Sequence, residues 1–209
     1  MIGPSQSAPR RAARSSLAIL GAALALTLGL GACGQRAGSG ADAPAAAAIG
    51  GPFQLIDQQG RPADQRLLQG KWTAVFFGYT YCPDVCPTTL QTLGSASALM
   101  GDKAKAFQVV FITVDPARDT PAQLKDYLSS ASFPRGIVGL TGSPAQIAQV
   151  TGAYKVYFQK NGGGTSYSVD HSSAIYLMNP QGKFDSVIPF GLPPDQTRDL
   201  IVKAMARGA

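Results

Sequence analysis

Among 209 residues the chain has one histidine, one tryptophan and three cysteines, so a site needing imidazole or thiol has few side chains to draw on. Charge is also sparse. Charged residues make up 14% of the chain and apolar residues 45%, which excludes a disordered polyelectrolyte and suits one filled core plus extra segments. The net charge of +6 owes three of its units to Arg10, Arg11 and Arg14; without them fifteen basic residues face twelve acidic ones. No run of Lys or Arg remains, so nucleic acid is excluded as a partner. No unbroken apolar run reaches the roughly 20 residues that a spanning helix needs. The longest near the start, LAILGAALALTLGLGA, has sixteen. No internal repeat is visible.

That apolar run follows the three arginines and ends at Cys33. A basic start, a short apolar stretch and small residues before a break point describe an export signal. Leu30-Gly31-Ala32-Cys33 resembles the bacterial lipobox, in which the cysteine is acylated and becomes the new N-terminus. Residues 1–33 therefore read as a lipoprotein signal peptide, with Cys33 as the lipidation site. The mature protein would be anchored to a bacterial cell membrane and face the periplasm, where disulfides persist. Residues 34–50, GQRAGSGADAPAAAAIG, carry almost nothing to bury and read as a flexible tether.

From Gly51 to the end the pattern is that of one folded domain. FQLID and the segment near RLLQG predict an N-terminal hairpin. WTAVFFGY and FQVVFITV read as strands buried on both faces, and IVGLTG as a shorter one. Between them, a helix is expected from Pro87 to Met100. TPAQLKDYLSSA and SPAQIAQVTGAY each begin with a cap and a proline, at Thr120-Pro121 and Ser143-Pro144. KVYFQK and AIYLMN alternate like strands, QGK reads as the turn into FDSVIPF, and a last helix starts near Asp195. The fold class is α/β, a central sheet with helices on both faces and an N-terminal hairpin. A strand running into cysteines at a helix start is how thioredoxin-like folds present their thiols.

The stretch GYTYCPDVCPTTL concentrates the chemistry. If Cys82 and Cys86 are both helical, their spacing of four places them on one face, one turn apart. That spacing permits a disulfide, a redox pair or two sulfurs on one metal. The positive end of a helix favours thiolate, which serves both exchange chemistry and soft metals. A purely structural disulfide would gain little from so short a loop. With Cys33 acylated, two thiols and His171 are left, short of the four N/S ligands of a structural zinc. Two thiolates and an imidazole suit either oxidation state of copper. His171 lies in NGGGTSYSVDHSS, read as a mobile glycine-rich loop entering a strand beside the central ones.

Several blocks together resemble the Sco (SenC) family of copper chaperones, which assist assembly of the dinuclear copper centre of cytochrome c oxidase. They are GYTYCPDVCPTTL, FITVDPARDTPAQLKDY, VGLTG and VDHSSAIYLMNPQGKF, in that order. The resemblance spans residues 50–205. It implies a thioredoxin-like fold, copper as Cu(I) or Cu(II), and Cys82, Cys86 and His171 as its ligands. It implies as partners the copper-accepting oxidase subunit and another periplasmic copper chaperone. The alternative is an enzyme, a thiol–disulfide oxidoreductase whose redox-active pair, Cys82 and Cys86, reduces the cysteines of such partners. Thioredoxin-type reductases favour a CxxC spacing and need no ligand histidine, so the pattern leans towards metal binding. Asp84 is a candidate cap or site carboxylate. Asp115 and Asp119 are expected to hold the turn after the second strand and cap the next helix. Tyr79, Tyr81 and Trp72 are expected as core or site walls, and Arg118 as the partner of a nearby carboxylate.

Overall fold

The structure is a computed structural model and describes residues 48–208. The expected signal segment, Cys33 and most of the expected tether lie outside the described residues. The folded part begins before Gly51. Ile49 packs on the core, and the Gly50 N–H donates to the Ala153 carbonyl at 3.0 Å. Position 50 suits glycine twice over, because its φ is 91° and a Cβ there would meet the Met178 methyl at 3.1 Å.

In chain order the strands are β1 (Gln54–Asp57), β2 (Pro62–Asp64), β3 (Trp72–Gly78), β4 (Phe107–Thr113), β5 (Val138–Thr141), β6 (Phe158–Gly163), β7 (Ser166–His171), β8 (Ile175–Met178) and β9 (Phe184–Ile188). The helices are α1 (Val85–Leu99), α2 (Pro121–Tyr127), α3 (Pro144–Tyr154) and α4 (Pro194–Arg207). Seven strands form one mixed sheet in the order β2-β1-β5-β4-β3-β8-β9. β3, β4 and β5 run parallel, while β8 pairs antiparallel with β3 and β1 with β5. β6 and β7 pair only with each other, as a separate two-stranded arm.

The register sorts the core into two layers, because alternate residues of a strand face opposite sides. Phe76, Phe111 and Gly139 lie side by side on one face. A Cβ on Gly139 would strike Leu128 and Leu124, so α2 covers that face. A Cβ on Gly78 would strike Cys86, so α1 covers it too, and α4 packs on α1. Phe77 points to the other face, where its ring meets Tyr154 of α3 at 5.2 Å. Helices thus cover both faces, and all seven residues of β3 are buried.

Three expectations shift. The hairpin partner of β1 is Pro62–Asp64 rather than the segment near RLLQG. There the Asp64 side chain accepts from the Arg66 N–H and caps a 3-10 turn, Gln65–Leu68. α1 starts at Val85, two residues earlier than expected. Pro87 sits inside its first turn, where an N–H would have no helical partner anyway. The glycine-rich segment before His171 is not a loop but the β6–β7 hairpin, turning at Gly164 with a φ of 62°. The cap at Thr120 and the capping box at Ser143 form as expected.

Gly94 shows how closely α1 is pressed to its neighbours. A Cβ there would lie 2.4 Å from the Ser132 carbonyl oxygen, a backbone atom that cannot swing aside. In an open helix Gly→Ala stabilises by about 0.8–1 kcal/mol. Here overpacking, at about 1–3 kcal/mol, outweighs that gain. Gly94→Ala should lower the urea midpoint of unfolding, and a raised midpoint would show that the contact gives way easily.

Candidate metal centre

The site lies at the C-terminal end of β3, where parallel strands of α/β sheets usually place their chemistry. After Gly78 the chain turns sharply, with the Cys82 N–H donating to the Tyr79 carbonyl at 3.2 Å, and enters α1 at Val85. Cys86, in the first turn, is fully buried. Its sulfur fills the space left by the missing side chain of Gly78, where a Cβ would lie 2.7 Å from Sγ. Cys82 stays half-buried in the loop, and both thiols are free.

The loop is pinned from β4. Asp119, fully buried, accepts from the Thr80 hydroxyl at 2.6 Å, the Thr80 N–H at 3.1 Å and the Thr113 hydroxyl at 2.6 Å. Burial pushes its carboxyl up in pKa, and these donors offset that rise only in part. Asp119 therefore does not cap α2; Thr120 does. Asp115 holds the turn as expected, accepting at its carbonyl from the N–H groups of Arg118 and Asp119. The Asp84 side chain makes no capping bond and accepts only from the Thr88 hydroxyl, at 3.3 Å. Trp72 is a core residue at the opposite end of β3, beside Gly208. Tyr79 is buried against His171, with ring centroids 5.9 Å apart, whereas Tyr81 is exposed.

His171 is the last residue of β7, held where the arm joins the body. Next to it, the Ser172 N–H donates to the Tyr157 carbonyl at 2.9 Å. The imidazole Nδ1 lies 2.9 Å from the Ser172 carbonyl, which accepts only, so Nδ1 carries the proton. Nε2 is left with a lone pair facing Cys86 Sγ at 3.4 Å. That is the tautomer a metal ligand needs. The three donor atoms of Cys82, Cys86 and His171 lie within 4.8 Å of one another. Among the described residues this is the group of metal-ligating side chains close enough to share one ion. The structure thus brings together the three predicted residues, and leaves Asp84 outside the group.

The two thiols differ in charge. The hydrogen bond from Cys86 is the largest influence holding the Cys82 thiol far below its ordinary pKa, against its burial and helped by backbone N–H groups at the helix start. One of these, the Cys86 N–H, reaches Cys82 Sγ at 3.4 Å. The bond to Cys82 and burial push the Cys86 thiol up. The reduced pair therefore carries its negative charge on Cys82 and its proton on Cys86. Two thiol ligands and an imidazole suit a soft ion of low coordination number better than zinc, which wants four.

Sequence reasoning left two parts of this arrangement unread. The hold of Asp119 on Thr80 was signalled only by hydroxyl residues flanking both strand ends. Tyr167, whose hydroxyl donates to Asp115 at 2.7 Å, carried no signal at all.

Residues 41–206 match the SCO1/SenC family. The chain is 42% identical over 159 residues to the mitochondrial protein SCO1 homolog 1 of Arabidopsis thaliana, covering 75% of this chain and 47% of that one. It is 43% identical over 141 residues to the mitochondrial protein SCO2 of Saccharomyces cerevisiae, covering 66% and 46%. The chain spans about half the length of these two relatives. Among solved structures, the copper-bound ScoI of Bradyrhizobium japonicum superposes with a TM-score of 0.69 at 44% identity, covering 75% of this chain and 99% of that one.

The charge asymmetry has a direct readout. A folded-state pKa below the ordinary value, about 8.5, means that Cys82 keeps its thiolate as pH falls and loses it only through its own lowered pKa. Iodoacetamide at pH 6 should therefore modify Cys82 roughly tenfold or more faster than Cys86, as read by peptide mass mapping. The Cys82 rate should stay nearly flat between pH 8 and pH 6. Equal rates at the two cysteines, or a Cys82 rate that falls tenfold per pH unit in this range, would contradict the asymmetry.

Proposed function

The chain belongs to the SCO1/SenC family, and from that premise we propose that it is a metallochaperone delivering copper to the dinuclear copper centre of cytochrome c oxidase during assembly. Cys82, Cys86 and His171 hold the ion. The observation that carries this reading is the convergence of those three side chains, donor atoms within 4.8 Å, in a chain with one histidine. The copper held by the similar ScoI of Bradyrhizobium japonicum supports it.

The chemistry follows from the protonation pattern. Cys82 enters as thiolate and His171 offers Nε2, so loading requires the loss of one proton, from buried Cys86. Uptake therefore strengthens as pH rises. Oxidation to a Cys82–Cys86 disulfide removes both sulfur ligands and blocks uptake until the pair is reduced. Release proceeds by ligand exchange. Cys82, the more accessible sulfur, is the one that incoming ligands of the accepting subunit displace first. A partly exposed thiolate beside a buried thiol also fits the second reading, a thiol–disulfide oxidoreductase acting on that subunit or on another periplasmic copper chaperone.

The reduced protein should bind one copper ion, with thiolate-to-copper charge-transfer bands for Cu(II). Cys82→Ser or Cys86→Ser should abolish the bands, and His171→Ala should weaken affinity by roughly tenfold or more and alter the spectrum. An unchanged spectrum and affinity in His171→Ala would remove it as a ligand. Full oxidase assembly in cells carrying only His171→Ala would favour the reductase.

In the same reading the protein is lipid-anchored and faces the periplasm. Two or three acyl chains on Cys33 hold a membrane firmly where a single chain does not. Because Ile49 already packs on the core, the proposed tether shortens to fifteen residues, Gly34 to Ala48, and as a coil would reach roughly 20 Å, which keeps the copper loop near a membrane-embedded oxidase. Cys33→Ser should abolish lipid attachment and leave copper binding intact. Mass spectrometry of the mature protein is the check, and an N-terminus other than acylated Cys33 would overturn the anchor.

A further inference from the structure

Arg118 lies between the two halves of the site. Its guanidinium pairs with buried Asp115, and Nη1 donates to the Tyr167 carbonyl in β7 at 3.0 Å. Its carbon centre lies 3.6 Å from the ring centroid of Tyr167, 4.7 Å from that of Tyr81 and 5.7 Å from that of Tyr79. Tyr79 and Tyr81 belong to the segment that carries Cys82; Tyr167 belongs to the strand that carries His171. The remaining nitrogen, Nη2, is buried without a hydrogen-bond partner, so the ring faces compensate its charge instead. Lys160 also lies 3.6 Å from the Tyr167 centroid, a spacing that two cations can share only from opposite faces of the ring. The Tyr167 hydroxyl closes the circuit on Asp115 at 2.7 Å.

Residues 167, 169 and 171 share one face of β7 by the two-residue period of a strand. Tyr167 meets Arg118, Val169 is buried, and His171 meets Cys86. The arm pairs with nothing in the main sheet, and an isolated two-stranded hairpin is at best marginally stable. Its setting is therefore fixed by these inner-face contacts and by the bonds at its base. Arg118 supplies the contact farthest from the base, and its fork joins the arm to the turn after β4.

We infer that Arg118 is a positioning residue for the copper site, holding β7 so that His171 Nε2 stays against the thiols. The inference rests on the reading of Cys82, Cys86 and His171 as copper ligands. Arg118 touches neither metal nor ligand atom and acts through His171. Lysine cannot replace it, because one ammonium cannot hold the Asp115 carboxylate and the Tyr167 carbonyl in the fixed geometry of a planar fork.

The test is a double-mutant cycle in the full chain, read by copper titration and by the nitrogen coupling in the Cu(II) EPR spectrum. Arg118→Ala and Arg118→Lys should each weaken copper binding by roughly tenfold, the scale of losses at groups that orient metal ligands. Both should reduce the nitrogen coupling while the thiolate bands persist. In a His171→Ala background, Arg118→Ala should change affinity less than twofold. If Arg118→Ala does not fold, Tyr167→Phe carries the same test: it breaks the bond to Asp115, keeps the ring, and should give a smaller loss that vanishes in the same background. Losses that add fully to that of His171→Ala, or wild-type coupling and affinity in Arg118→Ala, would overturn the inference alone. A His171→Ala protein with unchanged copper spectrum would overturn it together with the copper-ligand reading.

Discussion

The imidazole of His171 meets the sulfur of Cys86 across 85 residues of chain, and the other features of the site either bring that contact about or give it chemical meaning. Between the two residues the chain crosses the sheet through β4 and β5, passes through α2 and α3, and leaves the body as the β6–β7 arm. No local propensity produces such a contact. It requires β3 and β8 to be neighbours, with Phe76 opposite Ile175, so that the loop after β3 and the strand leading into β8 open at the same end of the sheet. It also requires Gly78, because any side chain there would take the volume that the Cys86 sulfur occupies.

Burial and charge then divide the work between the two cysteines. A fully buried thiolate would have to be stabilised against strong desolvation, whereas a half-exposed one at a helix start is helped by backbone N–H groups and solvent. The proton accordingly rests on Cys86 and the charge on Cys82. A metal ion reverses this balance, since its own charge makes the second thiolate favourable. The site thus resists carrying two bare thiolates and, with an ion bound there, would accept both.

The parts legible in the sequence are those governed by short-range pattern. The buried strands β3 and β4 are continuous apolar runs, and the caps at Thr120 and Ser143 each precede a proline at the first helical position. The grouping of Cys82, Cys86 and His171 was legible because thiol and imidazole are scarce and because the surrounding blocks resemble a family. The arm was readable only in its first half, where KVYFQK reads as a strand that overlaps β6. Its glycines look like a loop, and its strand character comes from mutual pairing, Phe158 with His171 through Gly163 with Ser166, which no single strand announces. Asp119 escaped for a similar reason. A carboxylate in a turn reads as a cap until the fold sets Thr80, 39 residues away, within 2.6 Å of it.

The two ends of the site are held with different strength. Cys86 belongs to a helix whose buried side chains include Leu90 and Leu93, each worth about 1.5–3 kcal/mol of apolar burial. Moving it would disturb the core. His171 belongs to an arm held by individual hydrogen bonds of about 0.5–1.5 kcal/mol each and by cation–π contacts of about 0.5–2 kcal/mol. Those contacts run from Arg118 and Lys160 to one tyrosine ring. The Cys86 sulfur is thus fixed by the core, the Cys82 sulfur lies in the more accessible loop, and the His171 nitrogen is set by the weaker contacts of the arm.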